Sequence, residues 1–290
     1  MKIGKKHVIT HRGLEPKKQN FFSESSYEAF MNQLSRGFAG IEFDPNPAKD
    51  GIVVLHDNTL ERPTLGKDKR EIKDMSLADI QNVSLLNGRI PTFQDVMELI
   101  KNSSSTMSSL HLKSRLQTPE NLSRIIDALN PYQNMFDKFI VFDVTKDTAR
   151  RLKNTYPTLR LAPSVAHPYD IKRYNDTVGG TLLSIEEVLK LRKERVIDGI
   201  WGDEWDRTGE NGTTKIFYTK ENFDKLKDAG LFIALVTPEL HGTSPGLYGG
   251  ESHQDAKDRT ALFERIKQII EAAADFVCTD YPEEVAKLTY

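Results

Sequence analysis

Short runs of β-branched and aromatic residues alternate along this chain with longer stretches in which apolar positions return every three or four residues. The short runs cover residues 7–10, 40–44, 109–113, 138–144, 160–165, 199–201, 231–236 and 276–279, and each reads as a strand. The longer stretches cover 26–36, 91–101, 119–129, 148–155, 184–193, 219–229 and 260–274, and read as amphipathic helices. Strand then helix, repeated, predicts a parallel sheet of the α/β class. Eight such repeats in 290 residues come to about 36 residues each, which suits a closed (β/α)₈ TIM barrel occupying 1–290 as one domain. An open doubly wound sheet is the alternative. Two segments break the rhythm: a strand-like piece at 52–57 and a glycine-rich stretch at 239–253.

Composition then removes several classes of function. Forty Lys and Arg against 42 Asp and Glu give a net charge of −2, with the signs interspersed, so no basic footprint for nucleic acid exists. The one cysteine, Cys278, has no intrachain partner for a disulfide. The longest apolar runs, such as 231–236, fall far short of the ~20 residues of a membrane helix, so no integral membrane segment is expected. No apolar signal core follows residues 1–6, which makes a cytoplasmic location the expectation. None of this sets the oligomeric state.

Candidate chemistry gathers at strand ends. Side chains two apart on a strand share a face, so Glu42 and Asp44 point together, and Pro45 and Pro47 are expected to end the strand there. Two like charges near a barrel interior require a cation, a shared proton or basic neighbours. A divalent metal is the economical solution, and a solvated pair bonded to Lys or Arg at the rim is the alternative. His11 and His56 each close an apolar run, which puts both imidazoles at the same C-terminal face. Arg12 offers a planar fork for phosphate oxygens, and Lys113 shares a strand face with His111. Together they suggest a phosphate-ester site. His167, the 201–205 segment, His241 and His253 lie in loops expected after strands five, six and seven.

These residues resemble the glycerophosphodiester phosphodiesterase family over nearly the whole chain. The resemblance rests on His11-Arg12-Gly13, the segments 24–30, 40–44, 49–64 and 90–96, and the pieces 226–231 and 278–282. It implies a phosphodiesterase-type barrel that hydrolyses the bond between glycerol phosphate and a second alcohol, with a small-molecule phosphodiester as its partner. His11 and His56 would be the acid/base pair, and Glu42 and Asp44 would hold Mg²⁺ or Ca²⁺. Arg12 and Lys113 would bind the phosphate with Glu24 in support, and Trp201, with Trp205 and Tyr248, would contact the leaving alcohol. The short 57–90 stretch leaves no room for a large inserted domain and predicts an open barrel mouth.

Two departures from the family pattern alter that picture. The third strand of the family usually reads Glu-x-Lys, and here it reads His111-Leu112-Lys113. His111 then takes the third ligand position, where imidazole favours Mn²⁺, Zn²⁺ or another transition ion over Ca²⁺. The readings open at this point are an active enzyme with altered metal preference, one using another acid such as Asp143 or Asp203, and a barrel that binds a phosphorylated ligand without catalysis. A phosphodiesterase releasing a cyclic phosphate is a further reading. The second departure is Val236-Thr237 in place of the family's Trp-Thr pair, followed by a glycine-rich loop expected to form a changed specificity lid.

Overall fold

In the computed structural model, which describes residues 4–15, 18, 20–205, 207–238 and 258–288, a strand forms at each of the eight expected runs, and further short strands join them. In chain order the strands are β1 (Val8–Thr10), β2 (Gly40–Phe43), then a ribbon of β3 (Pro45–Pro47) and β4 (Ile52–Val54), followed by β5 (Ser108–His111), β6 (Phe139–Phe142), β7 (Arg160–Ala162), β8 (Ser164–Val165), β9 (Leu182–Leu183), β10 (Gly199–Gly202), β11 (Phe232–Val236) and β12 (Phe276–Thr279). The main sheet runs β7-β6-β5-β2-β1-β12-β11-β10-β8-β9, parallel throughout. Its two ends meet, because β7 and β8 are halves of one stretch interrupted at Pro163, which has no N–H to give a ladder. The first half pairs with β6 and the second with β10. Eight staves therefore close into a barrel, and β9 lies beside β8 at the margin.

Helices follow the strands, and side-chain caps set where most of them start. Ser26, Thr92, Thr118, Thr145, Ser184, Thr219 and Asp258 each accept a hydrogen bond from the backbone N–H three residues on. These caps open α1 (Tyr27–Ser35), α3 (Phe93–Lys101), α4 (Pro119–Leu129), α5 (Lys146–Thr155), α7 (Ile185–Lys193), α8 (Lys220–Asp228) and α9 (Arg259–Glu271); the short α2 (Leu77–Gln81), α6 (Pro168–Tyr174) and α10 (Pro282–Val285) are the other α-helices among the described residues. None of the described helices is long and apolar enough to cross a membrane.

Alternation along the strands produces two shells. Ile41, Phe43, Leu110, Val141, Leu161, Ile200, Ile233 and Val277 face outward and pack with helix residues such as Phe30, Val96 and Ile125. Ile9, Ile140, Phe142, Ala162, Trp201, Ala234 and Cys278 fill the barrel itself. The inward positions change from apolar to charged at the C-terminal strand ends, which is where this architecture builds its sites.

β2 ends at Phe43, as Pro45 and Pro47 lead one to expect, and beyond it the two prolines start a separate ribbon. They pair antiparallel with Val54 and Ile52 as a two-stranded ribbon, where each proline is tolerated because the strand is an edge. A small core of Val53, Leu55, Leu60, Ile72, Met75, Ile80 and Ile90 seats that ribbon beneath the 57–90 segment. The glycine-rich stretch 239–253, with His241, Tyr248 and His253, lies outside the described residues.

The start of α3 is tied to β4, since Val54 N–H donates to Pro91 O at 2.9 Å and Val53 bridges Thr92. Its capping box joins Thr92 to Asp95. Thr92→Ala is therefore expected to cost about 1 kcal/mol and to lower the melting temperature by roughly 2–4 °C in a calorimetric scan. Burial raises the Asp95 carboxyl, but hydrogen bonds from Arg89 and Thr92 more than offset this and hold it below its ordinary value. A carboxyl depressed in the fold stabilises above its unfolded pKa and loses that contribution as pH falls through the folded value. The destabilisation by Asp95→Asn should accordingly be full at pH 7 and shrink below about pH 4.

Candidate active site

Glu42 on β2 and Asp44 just beyond it point into the barrel mouth, 2% and 0% exposed. Across from them, β5 presents His111, with Lys113 two residues further along the same face. His111 Nδ1 lies 3.0 Å from Asp44 Oδ1 and 3.7 Å from Glu42 Oε1, and Lys113 Nζ lies 3.0 Å from Asp44 Oδ1. Burial pushes the Glu42 carboxyl up, and the Asp44 charge pushes it the same way. Burial would also raise Asp44, but Lys113, His56 and His111 outweigh it and hold that carboxyl well below the usual range.

One atom shows what this cluster lacks. Glu42 Oε2 is buried, accepts no hydrogen bond among the described residues, and has His11 Nε2 at 3.9 Å. A buried carboxylate oxygen without a donor calls for a cation. One ligand atom from each of Glu42, Asp44 and His111 lies within 4.8 Å of the others, so the residues fit a divalent metal ion.

The two other imidazoles are each backed by a carboxylate. A turn at His11–Gly13, with Arg12 in the left-handed region at φ 50, follows β1 and turns His11 inward. His11 Nδ1 is 2.9 Å from Asp280 Oδ1, which assigns the Nδ1–H tautomer and leaves Nε2 facing Glu42. His56 Nδ1 is 2.6 Å from Asp57 Oδ1, and Arg62 grips Asp57 through two hydrogen bonds of 2.7 and 2.9 Å. Arg62 also pairs with Glu24, which lies 3.8 Å from Arg12. Arg12 in turn is 3.9 Å from Asp44. Burial, then Arg12 and Lys113, hold His56 well below the ordinary imidazole range, so it is neutral at neutral pH. Lys113 Nζ and Arg115 Nη2 both donate to the His56 carbonyl, at 2.8 and 3.3 Å, and fix the turn that carries it.

The structure thus brings His11, Arg12, Glu24, Glu42, Asp44, His56, His111 and Lys113 to one mouth. Trp201 requires a correction. It is 3% exposed and lies inside the barrel, its ring stacked 3.9 Å from Phe142, which stacks 4.5 Å from His111. It forms a floor rather than a wall, because an inward residue in mid-strand sits one layer below the strand ends. Trp205 stacks on Tyr174, and His167 accepts from Tyr169 N–H at the start of α6. Glu204 is buried against Arg265 and the 217–218 backbone. Sequence reasoning assigned no role to Asp280, Asp57 or Arg62. Asp280 was within reach, because it lies two residues past inward-facing Cys278; Arg62 gave no periodic signal.

A model of the glycerophosphoryl diester phosphodiesterase family matches residues 11–284 of the sequence. The chain belongs to this family. A glycerophosphodiester phosphodiesterase from Caldanaerobacter subterraneus subsp. tengcongensis is 29% identical over 164 residues, which span 53% of this chain and 64% of that relative. The structure of a glycerophosphodiester phosphodiesterase from Thermotoga maritima superposes with a TM-score of 0.60 at 19% identity, covering 98% of both chains. A phosphodiesterase from Oleispira antarctica, solved with its product sn-glycerol-3-phosphate, gives 0.61 at 16% identity over 96% of this chain and 94% of that one. At such identities the solved structures establish the fold, a TIM-type barrel. The family establishes a hydrolase.

Because Glu42 and Asp44 are buried like charges, Glu42→Gln should raise the melting temperature of this hydrolase in chelator. The same substitution should remove most of the stabilisation that a divalent ion gives the wild type, about 2.7 kcal/mol at a hundredfold excess over Kd. Differential scanning calorimetry with and without metal measures both, and an unchanged metal increment in the variant would count against Glu42 as a ligand.

Proposed function

We propose that this protein is a metal-dependent phosphodiesterase that cleaves a glycerophosphodiester, or a related small polar phosphodiester, to a phosphomonoester such as glycerol 3-phosphate and a free alcohol. The observation that carries the reading is the pair of carboxylate-backed imidazoles, His11–Asp280 and His56–Asp57, facing one buried Glu42/Asp44/His111 cluster. The bound product of the Oleispira relative points to the same product class.

Glu42, Asp44 and His111 would hold the metal. When bound, such an ion offsets the diester's negative charge and polarises a phosphoryl oxygen. The Arg12 fork suits two non-bridging oxygens, and Lys113 adds a buried positive charge beside Asp44. His56 suits the general base, because its Nδ1–H is engaged by Asp57 and its neutral ring keeps a lone pair on Nε2 for the proton of an attacking water. His11, flanked by the Asp280 and Glu42 carboxylates, suits the acid in its doubly protonated form, in which Nδ1–H stays with Asp280 and the proton on Nε2 passes to the departing alkoxide. The P–O bond to the alcohol breaks as the bond to the water oxygen forms. Glu24 and Arg62 act by holding Arg12 and Asp57 in register.

Turnover of glycerophosphocholine and glycerophosphoethanolamine tests the reading. His11→Ala and His56→Ala should each reduce kcat about 10²–10⁴-fold, and near-wild-type rates in both would refute the roles assigned. Phosphorus NMR of early products should show a phosphomonoester without a preceding cyclic phosphate. A cyclic intermediate would transfer the attack from water to a substrate hydroxyl.

A further inference from the structure

His111 differs from the other two site imidazoles in the nitrogen it offers. In His11 and His56 the carboxylate takes Nδ1. In His111 the order is reversed, with Asp143 Oδ2 at 3.2 Å from Nε2 and Nδ1 directed at Asp44 and Glu42. An imidazole that donates one N–H to a carboxylate keeps the lone pair of the other nitrogen for a metal, and its basicity rises. The ring is also held from below by Phe142.

Asp143 is built for this place. It sits just past β6 with φ 61, a left-handed conformation that few residues other than glycine adopt and that Asp tolerates better than most. Gln117 locks the turn, donating to Asp143 O and Leu112 O at 2.7 Å each and accepting from Thr145 N–H at 2.9 Å. Such conformations persist where the surroundings over-determine them, and they concentrate at functional sites.

Two carboxylates and one carboxylate-backed nitrogen form a mixed donor set. Ca²⁺ takes six to eight oxygens, whereas imidazole suits ions from iron to zinc in the first transition row. We propose that Asp143 is the positioning residue for His111 as a metal ligand through Nδ1, and that this pair makes the centre select an imidazole-accepting transition ion such as Co²⁺ or Zn²⁺ over Ca²⁺. The inference rests on the metal-site part of the proposed function and is independent of the substrate.

Metal-stripped full-length protein titrated with Co²⁺, read by its visible d–d absorption, together with equilibrium dialysis against Zn²⁺ and Ca²⁺, tests it. The wild type should bind Co²⁺ and Zn²⁺ at least about tenfold more tightly than Ca²⁺. Asp143→Gly, the truncation that adds no strain at φ 61, should weaken Co²⁺ binding about 10–100-fold and shift the d–d bands. The unfolding temperature of its metal-free form and its Ca²⁺ affinity should change little. Asp143→Asn, whose amide oxygen still accepts an N–H, should recover part of the loss. Equal affinity of the wild type for Ca²⁺ and Co²⁺, or wild-type Co²⁺ affinity and spectrum in both variants, overturns the proposal. If the glycine variant does not fold, an unchanged Co²⁺ affinity in the asparagine variant alone overturns it. A protein that selects Co²⁺ but cleaves no glycerophosphodiester defeats the proposed substrate and leaves this inference standing, and one that cleaves it with Ca²⁺ as its tightest ion does the reverse.

Discussion

Two carboxylates on one strand face, both shut off from water, are the constraint to which the rest of this barrel mouth answers. Glu42 and Asp44 repel each other and have lost their hydration, and neither stands without compensation brought from elsewhere in the chain. The end of β5 supplies His111, the chain just beyond it supplies Lys113, and the turn after β1 supplies Arg12 and His11. These neighbours become neighbours only when the barrel closes with β5 and β1 on either side of β2. The electrostatics and the topology are therefore one requirement, and the oxygen of Glu42 that remains without a donor marks where an ion completes it.

A second regularity follows from the first. Among the described residues three imidazoles line the site, and each leans on a carboxylate: His11 on Asp280, His56 on Asp57, His111 on Asp143. A buried histidine has two tautomers of similar energy, and a fixed acceptor on one nitrogen decides between them. Two of the rings give Nδ1 to the acceptor and face the site with Nε2, while the third gives Nε2 and faces Glu42 and Asp44 with Nδ1. The difference comes from where each acceptor sits. Asp280 and Asp143 stand at the ends of strands on opposite sides of β1 and β5, and Asp57 is the next residue after His56. Which nitrogen meets the site is thus set by where the acceptor lies relative to the ring, just past a neighbouring strand for His11 and His111 and in the next residue for His56.

Much of this could be read from period two and period three-and-a-half alone. Glu42 with Asp44 and His111 with Lys113 share faces because strand side chains alternate, and Ser26, Thr92 and Ser184 cap helices at the positions where apolar periodicity begins. What periodicity leaves out is depth and long-range pairing. It set Trp201 at the start of a loop where the ring would meet the leaving alcohol, and the ring instead lies within β10, beneath the mouth. It could not show that residues 160–165 serve both barrel edges through a break at Pro163. Pro45 and Pro47 mark the end of β2, because a central strand would reject them, but nothing in the period showed that they go on into an edge ribbon, which accepts them. α6 escaped because its seven residues open on a histidine cap and a proline instead of an apolar repeat. Arg62 reaches Asp57 and Glu24 through side-chain length, a quantity to which no pattern of apolar positions responds.

The floor of the site links the packing to the chemistry. His111, Phe142 and Trp201 come from β5, β6 and β10, and their rings lie nearly parallel, tilted by 19° and 17° at successive contacts. A flat ring at position 111 can rest on Phe142 and still direct one edge to Asp143 and the other to Asp44. A carboxylate at that position would give up the stacking surface and would set a third negative charge beside Glu42 and Asp44, with Asp143 a fourth close by. Lys113 and Arg12 would then face a larger negative charge than the present cluster carries. The imidazole therefore meets two demands with one side chain, a planar cap for an aromatic column and a nitrogen donor that adds no negative charge between acids. For that reason the histidine, its aromatic support and its carboxylate partner are best understood as a single unit of the fold.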